Sequence, residues 1–315
     1  MKSLPELSIV VPLFNEEEVL PLLLSELTRV CDLTKKNYEI ILIDDGSRDN
    51  TFKLMQEAGE RNPRIKSIKF SRNFGHQAAF GAGLDLSKGD LVITMDGDLQ
   101  HPPSLIPEFI KYADLGNDIV IGERLSNKQN SFVRETIGKA FYKFLSAITN
   151  LEFKNVSDFA LYKRSVVLTL KSLPEKERFL RGMVQWVGYK KAYVPYVVEN
   201  RKAGSAKYTT KKLFGLIMSG VTSFSAFPLR LAFWLGLLVL LFSIGFSGYV
   251  VWDHYANPSP LLSGWATLVI LVFVFGSIQL IVLGIVGEYL YKMFNEVKGR
   301  PSYIVSETKN IKEND

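Results

Sequence analysis

The sequence predicts an α/β body built on a mainly parallel sheet with helices on both faces, followed by an amphipathic helix and two membrane-spanning helices. Three observations carry this. Five short runs rich in Val, Ile and Leu alternate with stretches of helical periodicity, the pattern of strand–helix–strand units. Polar and charged residues gather where those runs end, the place where such sheets put their ligands. Charge is also spread unevenly: none of the 38 Lys and Arg falls within positions 231 to 291. The mean hydropathy of +0.09 therefore averages a charged body with a hydrophobic C-terminal segment.

In chain order, Leu7–Val11, Tyr38–Asp44, Ile65–Ser71, Asp90–Asp96 and Asp118–Gly122 read as strands. Glu17–Val30, Asp49–Arg61, His76–Ser87 and Ser104–Leu115 read as the helices between them, and Ser131–Ile148 as a further helix. The residues beyond the strands are Pro12 to Glu16, Asp44-Asp45-Gly46-Ser47, Arg72-Asn73, Asp96-Gly97-Asp98 and Arg124. Together they outline one site. Gly81-Ala82-Gly83 lies inside a helical stretch, so it is not a dinucleotide fingerprint, and there is no Walker phosphate loop. The single Cys31 excludes an intramolecular disulfide. The polar tail after Tyr303 reads as frayed.

The C-terminal part divides into an amphipathic helix at 209–228, spans at 229–252 and 261–287, a loop at 253–260 and a tail at 288–315, all after an α/β body at 1–208. Leu231–Trp252 and Leu261–Gly287 carry one charge between them and their connection, Asp253, and each is long enough to cross roughly 30 Å of hydrocarbon. Trp252, Tyr255 and Trp265 flank a connection without Lys or Arg, while Arg230, Lys292, Lys298 and Arg300 lie at the other ends. The positive-inside rule then puts both termini in the cytoplasm. Leu213–Leu229 is also uncharged, but it is short, rich in Ser, Thr and Gly, and broken at Pro228, which favours an interfacial helix over a third span. The run Leu7–Phe14 is too short, and too closely followed by Glu16-Glu17-Glu18, for a signal peptide.

Two carboxylates separated by glycine, Asp96 and Asp98, suit a hard divalent cation shared with substrate phosphates, or else a polar turn ending a strand. Asp44 and Asp45, with Asn15 and Glu16, offer acceptors to a base or ribose, although Ser47 or Asp49 also suits a helix N-cap. The net charge of +6 fits polyanionic partners, but basic and aromatic residues are not interleaved on one stripe, so nucleic acid is not expected.

The segments LSIVVPLFNEEEVLP, EIILIDDGSRDNT, FSRNFGHQAAFGAGLDLSKGD and TMDGDLQHPP resemble the family-two glycosyltransferases of GT-A, Rossmann-like fold, and within them the polyprenyl-phosphate sugar synthases. VSDFALYKRSVV, RFLRGMVQWVGYK, ENRKAGSAKYTTKKLFGL, FSAFPLR and GEYLYKMFNEVKGRPSYIV look most like the bacterial bactoprenol branch. The resemblance implies transfer of one sugar, with inversion, from a nucleotide sugar to undecaprenyl phosphate, the donor being UDP-glucose or UDP-N-acetylglucosamine. It implies that Pro12, Asn15, Glu16, Asp44, Asp45 and Asn73 line the nucleotide-sugar pocket. Asp96 and Asp98 match the family's metal pair for Mg²⁺ or Mn²⁺, with Asp98 the direct ligand and Gln100 nearby. Asp158 matches an acid at the reacting centre that acts either as a base or as an orienting group. Arg124, Arg134, Arg201 and Lys207 match positions that face phosphate, and relatives imply a homotetramer. His76 is assigned no catalytic role. The QxxRW motif of processive synthases is absent at Gln185-Trp186-Val187-Gly188-Tyr189. Two other readings stay open: a catalytically silent nucleotide-sugar-binding membrane protein, and a transferase acting on a glycolipid hydroxyl.

Overall fold

The computed structural model describes residues 4–125, 156–176, 178–197, 225, 227–256 and 265–311. Arg134 and its expected helix, Arg201, Lys207 and the expected amphipathic helix lie outside the described residues. The chain divides into two units, Met1–Thr209 with Arg300–Asp315, and Thr210–Gly299.

The first unit is built on an eight-stranded sheet. Its strands are β1 (Leu7–Leu13), β2 (Tyr38–Asp44), β3 (Ile65–Phe70), β4 (Leu91–Thr94), β5 (Ile119–Leu125), β6 (Val156–Lys163), β7 (Lys191–Val197) and β8 (Val305–Lys309). The spatial order is β7-β5-β6-β4-β1-β2-β3-β8. The centre is parallel, β4 and β2 flanking β1 and β3 following β2. β1 and β2 are buried at every position, as expected of strands covered on both faces. The helices are α1 (Leu20–Leu33), α2 (Thr51–Arg61), α3 (His76–Leu86), α4 (Ile106–Asp114), α5 (Arg164–Ser172) and α6 (Leu180–Trp186). Leu20, Leu23 and Leu27 of α1 and Phe109 of α4 join one core with the apolar side chains of β1 and β2.

Several boundaries differ from the sequence reading. α1 begins at Leu20, not Glu17, with Pro21 in its first turn, where a missing N–H costs nothing. β1 runs on through Pro12, which is buried inside the strand and not beyond it. β4 ends at Thr94, so on that side Pro12 faces no ladder partner, and its lack of an N–H is tolerated. The tail after Tyr303 is not frayed. Val305–Lys309 pairs antiparallel with β3 and closes that edge of the sheet.

One reversal positions the site. β6 runs antiparallel to both β4 and β5, so its first residues lie beside the last residues of its neighbours. Ser157 and Asp158, at the start of a strand, thus arrive where the parallel strands end.

The second unit contains α7 (Phe227–Ala256) and α8 (Trp265–Val297), within which Phe227–Phe246 and Leu271–Val297 are long and apolar enough to cross a membrane. α7 runs past the expected end of the first span to Ala256, and the remaining expected loop residues lie outside the described residues. Within this unit the Tyr289 hydroxyl donates to the Ser225 carbonyl at 2.6 Å.

Candidate active site

Three strand-end loops interlock at the carboxyl side of β1, β2 and β3. Asn15 takes a left-handed backbone (φ 52°), which lets its N–H donate to Ser47 Oγ at 2.9 Å while its side chain accepts the Arg48 N–H at 2.8 Å. The Glu16 N–H donates to Thr51 Oγ1 at 2.9 Å. Gly46 sits at φ 72°, and a Cβ there would lie 2.5 Å from the Arg72 carbonyl carbon, so only glycine lets these two loops meet. Both Asp45 oxygens accept backbone N–H groups: Oδ1 takes Phe74 at 2.7 Å and Oδ2 takes Gly75 at 3.0 Å. Asp45 therefore braces the loop that carries the exposed Asn73. Asp44 Oδ1 accepts the Ser47 N–H at 2.9 Å, whereas its buried Oδ2 has no hydrogen-bond partner among the described residues. Burial pushes both carboxyls above the usual carboxylate range.

The turn after β4 carries the acidic pair. Asp98 Oδ1 accepts the Gln100 N–H at 3.1 Å, across a Leu99 backbone at φ 60°. The Asp96 N–H donates to His101 Nδ1 at 2.9 Å, so the His101 proton sits on Nε2, which faces Ser157 Oγ at 3.2 Å and Asp96 Oδ2 at 3.6 Å. The His101 ring stacks on Phe159 of β6 at 5.1 Å.

Asp158 lies at the centre, 7% exposed. Arg181 of α6 grips it in a two-pronged bond, Nε to Oδ1 at 2.8 Å and Nη2 to Oδ2 at 2.7 Å. His76, the first residue of α3, brings Nε2 to 2.9 Å from Asp96 Oδ1 and 3.7 Å from Asp158 Oδ2. Desolvation opposes a charge on His76, only weakly because its side chain is 40% exposed, and the carboxylates of Asp158 and Asp96 outweigh it and lift its pKa to about 10. Burial likewise favours protonation of Asp158, yet Arg181 and His76 hold its carboxyl far below the usual range. Asp96 is also lowered against the pull of burial, by His101 and His76.

The structure thus brings Asp96, Asp98, Gln100 and Asp158 to one end of the sheet, with Asp44, Asp45, Asn15 and Glu16 in the neighbouring loops. Pro12 is buried inside β1, and Arg124 stands exposed near the end of β5. Arg181 and His76 were not foreseen. Arg181 lies in RFLRGMVQWVGYK, where nothing in the sequence pairs it with Asp158, and a lone histidine carries no pattern. Ligand atoms of His76, Asp96 and Asp158 lie within 4.8 Å of one another. This cluster holds Asp96 but not Asp98, and carboxylate oxygens such as those of Asp96 are what a hard divalent cation prefers. Asp158 fits less well, because Arg181 already occupies both its oxygens.

The glycosyl transferase family 2 model matches residues 8–170. The chain is 39% identical over 305 residues to an uncharacterised glycosyltransferase of Bacillus subtilis (strain 168), covering 96% of this chain and 94% of that one. It is 36% identical over 304 residues to the bactoprenol glucosyl transferase of Shigella phage SfII, covering 96% and 98%. A glucosyl-3-phosphoglycerate synthase from Mycobacterium tuberculosis, solved with Mn²⁺, UDP-glucose and phosphoglyceric acid, shares the fold at TM-score 0.50 and 18% identity, covering 70% of this chain and 78% of that one. With a Rossmann-like GT-A body, an acidic pair after β4 and two long apolar helices later in the sequence, the chain belongs to glycosyl transferase family 2.

Proposed function

We propose that this chain is a membrane-bound, inverting hexosyltransferase that moves one hexose from a UDP-sugar, UDP-glucose before UDP-N-acetylglucosamine, to the phosphate of a polyprenyl phosphate. Similarity to a bactoprenol glucosyl transferase over 96% of the chain, apolar helices included, supports a lipid acceptor. The observation that carries the choice of phosphate is the Asp158–Arg181 pair. A hydroxyl acceptor must lose a proton as its new bond forms, and a carboxylate gripped at 2.7 and 2.8 Å by a guanidinium is a feeble proton acceptor at neutral pH. A phosphate monoester has its second pKa near 6, so it arrives as a ready nucleophile.

In this reading an acceptor phosphate oxygen attacks the anomeric carbon while the bond from that carbon to the diphosphate breaks. The bonding pair leaves with UDP and the configuration inverts. Asp158 orients the reacting groups, and Arg181 and His76 fix its direction. Asp44 Oδ2 accepts from the base or ribose, while Asp45 keeps the β3–α3 loop in place. Asp96 and Asp98, with Gln100, would hold Mg²⁺ or Mn²⁺, which when bound neutralises charge on the departing diphosphate. Arg124, together with Arg134, Arg201 and Lys207, is assigned to the donor and acceptor phosphates, where guanidinium groups bind in two-pronged fashion. The cation-poor connection between the apolar helices supports placing the body and both termini on the cytoplasmic side.

The test is transfer from labelled UDP-glucose to undecaprenyl phosphate by the full chain in detergent. Activity should need a divalent cation, disappear with EDTA, and fall at least about a hundredfold in Asp98→Ala, the scale of a lost electrostatic stabiliser. Full activity in EDTA, or an unimpaired D98A, overturns the reading. Transfer to a glycolipid alcohol but not to the phosphate would instead favour the hydroxyl acceptor.

A further inference from the structure

The chain returns from its apolar helices to the edge of its own catalytic sheet, and the point of return lies beside the donor loops. β8 pairs with β3 in antiparallel register, Phe70 opposite Val305 and Ile68 opposite Thr308, so the residues just before β8 lie at the carboxyl end of β3. There the Ser71 N–H donates to the Ile304 carbonyl at 2.9 Å, and Ser302 Oγ donates to the Lys176 carbonyl at 2.8 Å. The Tyr303 ring lies flat on Phe70, centroids 5.0 Å apart and planes 17° from parallel. Phe70 in turn meets Phe74 edge-on at 5.8 Å, and the Phe74 N–H is the one held by Asp45 at 2.7 Å. Arg72 also engages Phe74, its guanidinium 4.1 Å from the ring centroid. Two residues after Phe74 comes His76, in contact with Asp96.

We infer that Tyr303 is a positioning residue for donor binding: through Phe70 and Phe74 it sets the β3–α3 loop, which Asp45 and the Gly46 turn hold from the opposite side. The position is apt because the loop lacks regular structure between Phe70 and His76. Elsewhere β8 does a different job. Lys309 pairs with Glu60 at 2.9 Å and Asn310 donates to the Gly59 and Ile65 carbonyls at the far end of the strand, while Glu307, in mid-strand, pairs with Lys69 at 3.6 Å. Contacts near Tyr303 address the loop, whereas those near Lys309 only fasten the strand.

This inference rests on the donor-site reading above, and the experiment separates the two. UDP binding to the full chain in detergent is measured by calorimetry with Mn²⁺ present, alongside the KM for UDP-glucose, kcat and Tm. Losing one aromatic stack should weaken UDP binding in Tyr303→Ala about three- to tenfold and raise KM in parallel, with kcat within about twofold. Tyr303→Phe keeps the ring and should bind as the wild type does. Glu307→Ala/Lys309→Ala, which removes exposed ion pairs worth little, should also bind as the wild type does. If Y303A proves too unstable, Tyr303→Leu replaces it, filling the space without the stack, and should show the same KM shift. Unchanged UDP affinity and KM in Y303A or Y303L overturns the inference. So does an equal loss in E307A/K309A, which would mean that β8 supports the sheet generally. A wild-type chain that binds no UDP would instead overturn the donor-site reading.

Discussion

Replacing Arg181 by methionine tests the electrostatic centre most directly. The substitution keeps much of the aliphatic bulk but removes both bonds to Asp158, which is 7% exposed, while Arg181 itself is 24% exposed. Stripping one partner from a buried ion pair costs roughly 3–5 kcal/mol, because the remaining charge is left unsolvated. His76 Nε2, 3.7 Å from Asp158 Oδ2, still offers partial compensation, so the lower end, about 3 kcal/mol, is expected. For a body of this size that corresponds to a fall in Tm of roughly 6–12 °C. Asp158 has its folded pKa depressed, so its contribution is present above the ordinary carboxylate value near 3.9 and is lost only as pH falls below it. The deficit of Arg181→Met, measured by thermal unfolding in detergent, should therefore be the same at pH 6 and pH 8 as far as Asp158 is concerned.

Catalysis should separate from stability. With Asp158 free to turn, kcat should fall at least about tenfold while the donor KM stays near that of the wild type, the signature of a lost transition-state arrangement. Arg181→Lys supplies a point charge without the fork and should recover stability better than rate. The double substitution Arg181→Met/Asp158→Asn removes the stranded charge and should regain much of the lost Tm without regaining activity. If R181M is as stable as the wild type, or if the double variant is no more stable than R181M, the argument from a buried, paired carboxylate is refuted.

Two further outcomes follow from the same geometry. His76 has its folded pKa raised to about 10 from an ordinary 6.5, so its ion pairs are fully present below pH 6.5 and are lost as pH rises towards 10. Wild-type stability should decline over that window, and His76→Gln should flatten the decline; an equal slope in both refutes the pairing. At Gly83 an added Cβ would lie 2.1 Å from Val10 Cγ1 and 2.9 Å from Ile43 Cδ1, so Gly83→Ala must push α3 off the sheet. About 1–3 kcal/mol of destabilisation is expected in thermal unfolding, and an unshifted Tm would show that the helix is not held this close.

What the sequence disclosed, and what it hid, has a physical pattern. β1, β2 and β4 are buried on both faces, so their apolar runs are continuous and visible. β6 (VSDFALYK) is buried from Asp158 to Tyr162 but opens on polar residues at the site, and β8 (VSETK) is an edge strand with four exposed residues and one half-buried. Their composition reports those surroundings, which is why the tail read as frayed. The acidic pairs were legible because glycine and carboxylates after an apolar run mark a strand end in any sequence. Arg181 and His76 were not, because their meaning arises only when β6 runs backwards and brings Asp158 to residues 23 and 82 positions away.

Two buried acids show how saturation sorts scaffold from site. Glu39 lies in β2 near its amino end, where Oε1 accepts Ser8 Oγ at 2.6 Å and the Lys88 N–H at 2.8 Å while Oε2 meets Lys66 Nζ at 2.7 Å. Asp44 closes the same strand at its carboxyl end, with Oδ1 used and Oδ2 buried without a hydrogen-bond partner among the described residues. A buried acceptor is rarely left open, because losing its hydration costs about 1–3 kcal/mol unless another donor arrives. At the amino end of the strand the second carboxylate oxygen sits against a lysine charge; at the carboxyl end it is open, and in the proposed reading a donor from the nucleotide sugar meets it. Glu39→Gln should accordingly lower stability by about 1–3 kcal/mol and leave the donor KM unchanged. Asp44→Asn should do the reverse. Burial raises the Asp44 pKa, so neutralising it removes a desolvation cost, and Tm should hold or rise while UDP binding weakens about tenfold. If instead D44N unfolds early and binds UDP normally, Asp44 belongs to the scaffold, and the open oxygen has no part in recognising the donor.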